Sequence, residues 1–193
     1  MNGLAPITDG NLELLERLEA VLAASPVEEV RYRLAGRRRS VDEVRQGDLH
    51  EVDLDVRIVS ASAVLTISWA RDNLVEGLAL TLNVSRTFTD NGDREEEWVS
   101  VSGLPEWTPF VGRILTSVVP AWHVTEDSCP RSVWSLRFTA DLGASFVVSL
   151  GELDDRGVPT YYPDSLLVFF SEEKARSYNV LSSNSSAWAD VAH

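Results

Sequence analysis

The feature that most constrains this chain is an unbroken apolar run, Leu-Leu-Val-Phe-Phe, at residues 166–170. A strand carries apolar side chains on both faces only where both faces of its sheet are covered. A turn signal, Pro-Asp-Ser, stands directly before the run, and Ser171 with two glutamates after it is typical of a helix N-terminus. The run therefore predicts a central strand, followed by a helix over about 171–180.

Alternation of apolar and polar residues predicts further strands on either side of a turn at Gly143 and earlier in the chain. The predicted strands lie at 27–34, 52–58, 65–69, 78–84, 134–139 and 146–150. Asp90-Asn91-Gly92-Asp93 is a turn signal that predicts a hairpin with Phe88 and Trp98 near its two ends. Successive hairpins indicate an antiparallel meander.

A period of 3.6 predicts two more helices. Asp9 is a candidate N-cap for a helix at 11–24, and apolar residues at Trp107, Phe110 and Val118 predict a central helix at about 105–119 that Pro120 ends. The sequence therefore predicts a single α+β domain over 1–193. It has a largely antiparallel, twisted sheet of about six to eight strands and helices at the N-terminus, the centre and the C-terminus. Residues 182–193 begin with a Ser/Asn run typical of a flexible tail, although a tryptophan at 188 predicts docking onto the domain.

Charge and composition restrict the classes of partner. The net charge of −13 over 193 residues repels phosphate backbones, which argues against a nucleic-acid partner and favours encounter with a basic protein. The alternative is that acidity serves solubility alone. The single cysteine, Cys129, excludes an intramolecular disulfide and fits a reducing compartment, and no apolar run is long enough to span a bilayer. We therefore expect a cytoplasmic protein without membrane contact.

Motifs for catalysis, cofactor binding or metal binding are not found. His50, His123 and His193 share no metal-ligand spacing, and the sequence contains no phosphate-binding glycine loop and no nucleophile elbow. Cys129 and His123 are close in sequence, a pairing that a structural cysteine explains equally well. We predict no catalytic residue, no cofactor and no metal ligand.

Two groups of carboxylates are the candidate partner-binding residues. Glu51, Asp53 and Asp55 follow period-two spacing, which would place three like charges on one strand face unless a cationic partner or solvent relieves them. The alternative is an exposed sheet face kept soluble. Asp154 and Asp155 belong, with Glu152, to an acidic loop that would either bind a hard cation or form a solvated turn.

Part of the sequence resembles a known class of proteins. The segments Trp134-Ser135-Leu136-Arg137-Phe138, Gly151-Glu152 and Tyr162 to Phe170, with Ala175, Arg176 and Tyr178, are similar to the C-terminal pattern of small actinobacterial proteins that resemble immunity proteins of polymorphic toxin systems. Trp122 and Ser186-Ala187-Trp188 are similar too. The resemblance covers roughly the last third of the chain. It implies a non-catalytic cytoplasmic protein that binds and neutralises a cognate toxin domain, which the acidic charge suggests is basic.

Two other classes stay open at this stage. A small enzyme or ligand-binding protein would have its site between the central helix and the sheet, with Trp122, His123 or the acidic loop at its rim. A homo-oligomeric structural protein would show a large apolar patch on a self-complementary surface.

Overall fold

Two antiparallel sheets form the body of the protein. The computed structural model describes residues 4–35, 40–84, 98–183 and 185–190. The helices in these ranges are α1 (Glu13–Leu22), α2 (Val41–Val44) and α3 (Glu172–Ser177). The strands are β1 (Val27–Arg33), β2 (Arg45–Gln46), β3 (Leu49–Val52), β4 (Asp55–Ser60), β5 (Val64–Asp72), β6 (Val75–Asn83), β7 (Trp98–Ser100), β8 (Leu115–His123), β9 (Ser132–Ala140), β10 (Ser145–Leu150), β11 (Glu152–Leu153), β12 (Pro159–Thr160) and β13 (Leu166–Phe169).

The strand order shows how the predicted meander is divided. One sheet has five strands in the order β6-β5-β4-β1-β7, the other has six in the order β2-β3-β13-β10-β9-β8, and β11 with β12 forms a small hairpin. All pairings between these strands are antiparallel. The predicted α+β class and antiparallel pairing are confirmed, with the strands shared between two main sheets.

The apolar run at 166–170 is central, as predicted. β13 lies between β3 and β10, and its four side chains are fully buried. Its outer face is covered by the C-terminal segment, where Tyr178 stacks on Phe169 at a centroid distance of 5.7 Å. Both faces of this strand are therefore covered, which is the condition that an unbroken apolar strand requires.

The two sheets are joined at two places. β3 of the six-stranded sheet continues into β4 of the five-stranded sheet after a break at residues 53–54. The N-terminal segment joins them again, because the Ile7 N–H donates to the Leu78 carbonyl (2.8 Å) and the Ile7 carbonyl accepts from Val133 (2.9 Å). A Cβ on Gly77 would lie 3.0 Å from the Val133 carbonyl oxygen, so the close approach there favours glycine. Buried apolar residues from both sheets form one contiguous core.

The predicted central helix is wrong. Residues 102–112 form a series of turns, and β8 begins at Leu115. A register shift between Leu115 and Ser117 places Leu115 and Val118 on the buried side, so a bulged strand imitates the three-residue spacing of a helix. Pro109 and Gly112, which has φ of +81°, further oppose a helix. The β-branched residues that follow favour a strand.

The terminal helices are confirmed, with shorter bounds. α1 buries Leu15, Leu18 and Leu22, but Leu12 is its N-cap position, and no side chain caps it. Asp9, the predicted N-cap, instead forms an ion pair with Arg131. Ser171 caps α3 as predicted by accepting from the Lys174 N–H. That helix ends at Ser177 because the next residue adopts an extended backbone and is buried in the core.

The C-terminal segment packs onto the six-stranded sheet. Ala187, Trp188 and Ala189 are buried, and the Ser135 hydroxyl donates to the Ala187 carbonyl (2.7 Å). Docking of the tryptophan is therefore confirmed. The predicted turn at Asp90–Asp93, with Phe88, and His193 lie outside the described residues. Among the helices that the structure describes, none combines the length and the apolar character needed to cross a bilayer.

Candidate functional site

A buried chain of polar side chains crosses the space between the two sheets. Tyr32 projects from β1, His50 from β3, and Glu106 and Trp107 from the turn segment before β8. The Trp107 Nε1–H donates to the Tyr32 hydroxyl oxygen (2.9 Å), and that hydroxyl lies 2.8 Å from His50 Nδ1. His50 Nε2 lies 3.6 Å from a Glu106 carboxylate oxygen, and Arg45 of β2 pairs with the other oxygen. We call these five residues the Tyr32 cluster.

The hydrogen-bond donors in this cluster fix the state of the histidine. Because the tyrosine oxygen already accepts from Trp107, its own proton is available for His50 Nδ1. A neutral imidazole then carries its proton on Nε2, which faces the Glu106 carboxylate. The opposite tautomer would place a ring lone pair against the carboxylate. We therefore assign His50 as the neutral Nε2–H tautomer.

Burial is the largest single influence on the pKa values of the Tyr32 cluster. Loss of hydration lowers the pKa of His50 from 6.5 to about 4, although the Glu106 charge opposes this shift. Burial alone would raise the pKa of Glu106, but hydrogen bonding and the charge of Arg45 lower it overall. Burial also raises the pKa of Tyr32 well above its ordinary value. At neutral pH the cluster thus contains one ion pair and a neutral histidine.

Aromatic rings enclose the same cluster. Trp107 lies edge-on to Phe146 (4.8 Å) and to Phe170 (4.9 Å), and His50 lies 4.9 Å from Phe170. Phe110 also contacts the Phe146 ring at 4.9 Å. These rings surround the polar side chains of the Tyr32 cluster. The hydrogen bonds from Trp107 to Tyr32 and from Tyr32 to His50 are suited to fixing the position of one sheet relative to the other.

A second polar cluster, the Glu76 cluster, lies where β6 meets β8 and β9. The buried Glu76 carboxylate accepts from the Tyr161 hydroxyl (2.9 Å) and pairs with Arg71. The backbone carbonyl of Glu76 accepts from the Ser132 hydroxyl (2.6 Å) and from His123 Nε2 (2.8 Å). Chain segments that are distant in sequence therefore converge on one residue of β6.

The histidine of this second cluster is also assigned as a neutral group. His123 Nε2 must carry the proton because it contacts a carbonyl oxygen, and Nδ1 then accepts from Ser182 (3.2 Å). Burial lowers the pKa of His123, and the hydrogen bond and the charge of Glu76 oppose the shift. Burial also raises the pKa of Tyr161, and the neighbouring carboxylate adds to that effect. Cys129 is half-buried, and no hydrogen bond or ion pair joins it to His123 among the described residues.

The predicted acidic strand face does not form. Glu51 lies on β3, Asp53 lies in the break between the sheets, and Asp55 begins β4. Asp55 is buried and pairs with Arg33. Asp53 is half-buried, and one of its carboxylate oxygens accepts from the Ala35 N–H (2.9 Å). The change of sheet at residues 53–54 breaks the period-two spacing from which a single face was predicted.

The other two predicted residues are exposed. Asp154 and Asp155 lie in the turn between β11 and β12. One Asp154 oxygen accepts from the backbone N–H groups of Arg156 (2.9 Å) and Val158 (2.8 Å), so this side chain fixes the turn. Across the described ranges, no group of three His, Cys, Asp or Glu side chains is placed to hold a metal ion.

Comparison with known proteins adds no relative. The chain matches no protein-family model, no curated protein sequence and no solved structure. The resemblance to immunity proteins stays a prediction.

Sequence reasoning missed the residues of both clusters. A signal for His50 was present, because it stands two residues before Val52 and so shares the inward face of the predicted strand. No sequence signal indicated Glu76 or Glu106, because their partners come from segments far away in the chain.

Proposed function

We propose that this protein is a non-catalytic, immunity-type protein that binds and neutralises a cognate toxin domain. The observation that carries the proposal is that the described histidines are buried, whereas many carboxylates are exposed. His50 and His123 are buried and engaged with protein partners, whereas exposed ionisable groups include many carboxylates. A surface of this kind suits capture of a basic partner better than proton transfer to a substrate.

The net charge of −13 supports the same proposal. A negative field accelerates encounter with a basic protein, which suits an inhibitor that must capture its target quickly. Asp154 and Asp155 are the candidate contacts that fit, because both are exposed on a turn that the Asp154 carboxylate itself fixes. Asp55 fits poorly because it is buried and paired.

The test is co-expression of this chain with the product of each flanking gene in its native host, followed by affinity purification and a growth assay. We expect one stoichiometric partner that arrests growth when expressed alone and does not when co-expressed. A protein that purifies alone with every flanking product would contradict the proposal. Thermal-shift screening for a small ligand would then test the ligand-binding alternative.

A charge-reversal variant tests the electrostatic part. Replacing Asp155 with lysine, which leaves the turn-fixing Asp154 carboxylate in place, should slow association several-fold at low ionic strength and much less at high salt. Asp141→Lys, in the exposed turn after β9, is a control that changes charge elsewhere. Equal slowing by the control would show that net charge alone, and not this turn, accounts for the effect.

A further inference from the structure

Three exposed apolar residues stand one or two positions in sequence from members of the Glu76 cluster. Leu74 in the turn between β5 and β6 is 52% exposed, Tyr162 after β12 is 43% exposed, and Leu181 after α3 is fully exposed at 108%. They come from three segments that are far apart in sequence. Single exposed apolar residues are ordinary, but several on segments that one hydrogen-bonded cluster joins indicate an interaction surface.

Hydrogen bonds of the Glu76 cluster bring these segments together. Tyr161, next to Tyr162, donates to the Glu76 carboxylate, and Glu76 is two residues after Leu74. Ser182, next to Leu181, contacts His123, whose other ring nitrogen contacts the Glu76 carbonyl. Each apolar residue is thus one or two residues, about 4–8 Å along the backbone, from a hydrogen-bonded member of the cluster. Glu76, His123 and Ser132, which hold these segments together, are buried and hydrogen-bonded, so the frame beneath the surface is rigid.

Carboxylates lie beside the apolar residues. Asp72 is exposed in the same turn as Leu74, and Glu126 and Asp127 are exposed directly after Thr125, whose hydroxyl accepts from the Glu76 N–H (3.1 Å). Two arginines next to these segments are paired, Arg71 with Glu76 and Arg131 with Asp9. An apolar centre with a charged rim is the usual anatomy of a protein interface.

We propose that the surface formed by Leu74, Tyr162 and Leu181, with its rim of Asp72, Glu126 and Asp127, is the docking site for a basic protein domain. This inference rests on the proposed function and names the surface that performs it. Charge complementarity selects the occupant, since the acidic rim repels an acidic partner, including a second copy of this chain. The apolar centre supplies the contacts that hold the partner after encounter.

The first experiment uses a defined probe. A phage-displayed library of random linear peptides is selected on the immobilised wild-type protein. Selected peptides are then measured against a variant with Leu74→Ser, Tyr162→Ser and Leu181→Ser. All three positions are exposed, so circular dichroism and thermal unfolding should match the wild type. We expect enrichment of peptides that combine basic and apolar residues, with binding at least about tenfold weaker to the triple variant.

Leu142→Ser is the matched control. Leu142 is 70% exposed in the turn after β9, whereas the Glu76 cluster contacts Ser132 at the start of that nine-residue strand, about 30 Å away. The control should bind the selected peptides as the wild type does. No enrichment over a selection on bare matrix, or equal binding to the triple variant, would overturn the proposal. A wild-type dimer that the triple variant converts to monomer in sedimentation would also overturn it, because the occupant would be a second copy.

The second experiment separates this inference from the proposed function. If a flanking gene product forms a complex that the triple variant retains unchanged, the immunity role stands and this surface is wrong. If peptides map to this surface while no flanking product binds, the surface stands and the immunity role is wrong. Replacing Asp72 and Asp127 with asparagine, and Glu126 with glutamine, should slow association at low salt while leaving dissociation nearly unchanged.

Discussion

The Tyr32 hydroxyl lies 2.8 Å from His50 Nδ1, and this contact links the two sheets through the core. Tyr32 belongs to the five-stranded sheet and His50 to the six-stranded sheet. The same hydroxyl accepts from Trp107, so the turn segment before β8 is fixed to both sheets. The Trp107 N–H and the Tyr32 O–H each have one proton to donate, to Tyr32 and to His50 respectively. Removal of the single hydroxyl oxygen would therefore break both hydrogen bonds.

Tyr32→Phe should destabilise the fold by about 1–3 kcal/mol. The substitution keeps the ring but leaves a buried indole N–H and a buried imidazole nitrogen without their partner. Urea unfolding monitored by circular dichroism measures the change. Tyr162→Phe, which removes an exposed hydroxyl, should leave the midpoint unchanged. A change below about 0.5 kcal/mol for the first variant would show that the contact is not stabilising.

Acid should weaken the fold between about pH 6.5 and pH 4. The folded pKa of His50 is lowered to about 4, so the unfolded state binds more protons in this window. The contribution of His50 to the free energy of unfolding is fully present above pH 6.5, and about 3 kcal/mol of it is lost as the pH falls to 4. His123, whose pKa is also lowered, acts in the same direction.

The slope of stability against pH is the informative quantity. His50→Gln should flatten it, whatever the effect on stability at pH 7, and NMR titration of the wild-type imidazole should give a midpoint well below 6.5. A wild-type slope retained in the variant would assign the acid sensitivity to other groups.

Substitution with alanine should destabilise the fold to different extents at two glycine positions. A Cβ on Gly151 would lie 2.5 Å from the Tyr178 hydroxyl oxygen and 2.8 Å from the Thr160 carbonyl oxygen, and the backbone φ there is +148°. Gly143 also has positive φ, at +84°, but nothing lies within 4 Å of its Cβ position. Gly143→Ala should cost about 1 kcal/mol from backbone strain, and Gly151→Ala distinctly more, about 3 kcal/mol. Thermal unfolding of both variants measures the difference, and equal losses would contradict the predicted clash.

Substitution with lysine should have different effects on stability at Asp55 and at Asp155. Asp55→Lys places a cation beside Arg33 in a buried position, so we expect a loss of at least about 3 kcal/mol or failure to fold. Asp155→Lys should leave stability within about 0.5 kcal/mol, because the residue is exposed in a turn. Urea midpoints for the two variants check this. A stable Asp55→Lys variant would show that the Arg33 pair is not required.

Local patterns in the sequence predicted most strands and both terminal helices. The β9–β10 hairpin and the buried run of β13 followed from side-chain alternation and from an unbroken apolar segment, which are properties of neighbouring residues. The prediction of a central helix was wrong because the bulge in β8 gives the buried residues of a strand the three-residue spacing of a helix turn. The prediction of a single acidic face was wrong because Glu51 and Asp55 lie on β3 and β4, which belong to different sheets.

By itself, the sequence determined the class of fold, the acidic charge and the positions of most strands, because these depend on composition and on short-range periodicity. Only the tertiary structure decided which polar residues are buried together. His50 meets Tyr32 and Glu106, and Glu76 meets Tyr161, across separations that no local pattern encodes. Side-chain hydrogen bonds depend on distances of a few tenths of an ångström, and strand pairing between distant segments sets those distances.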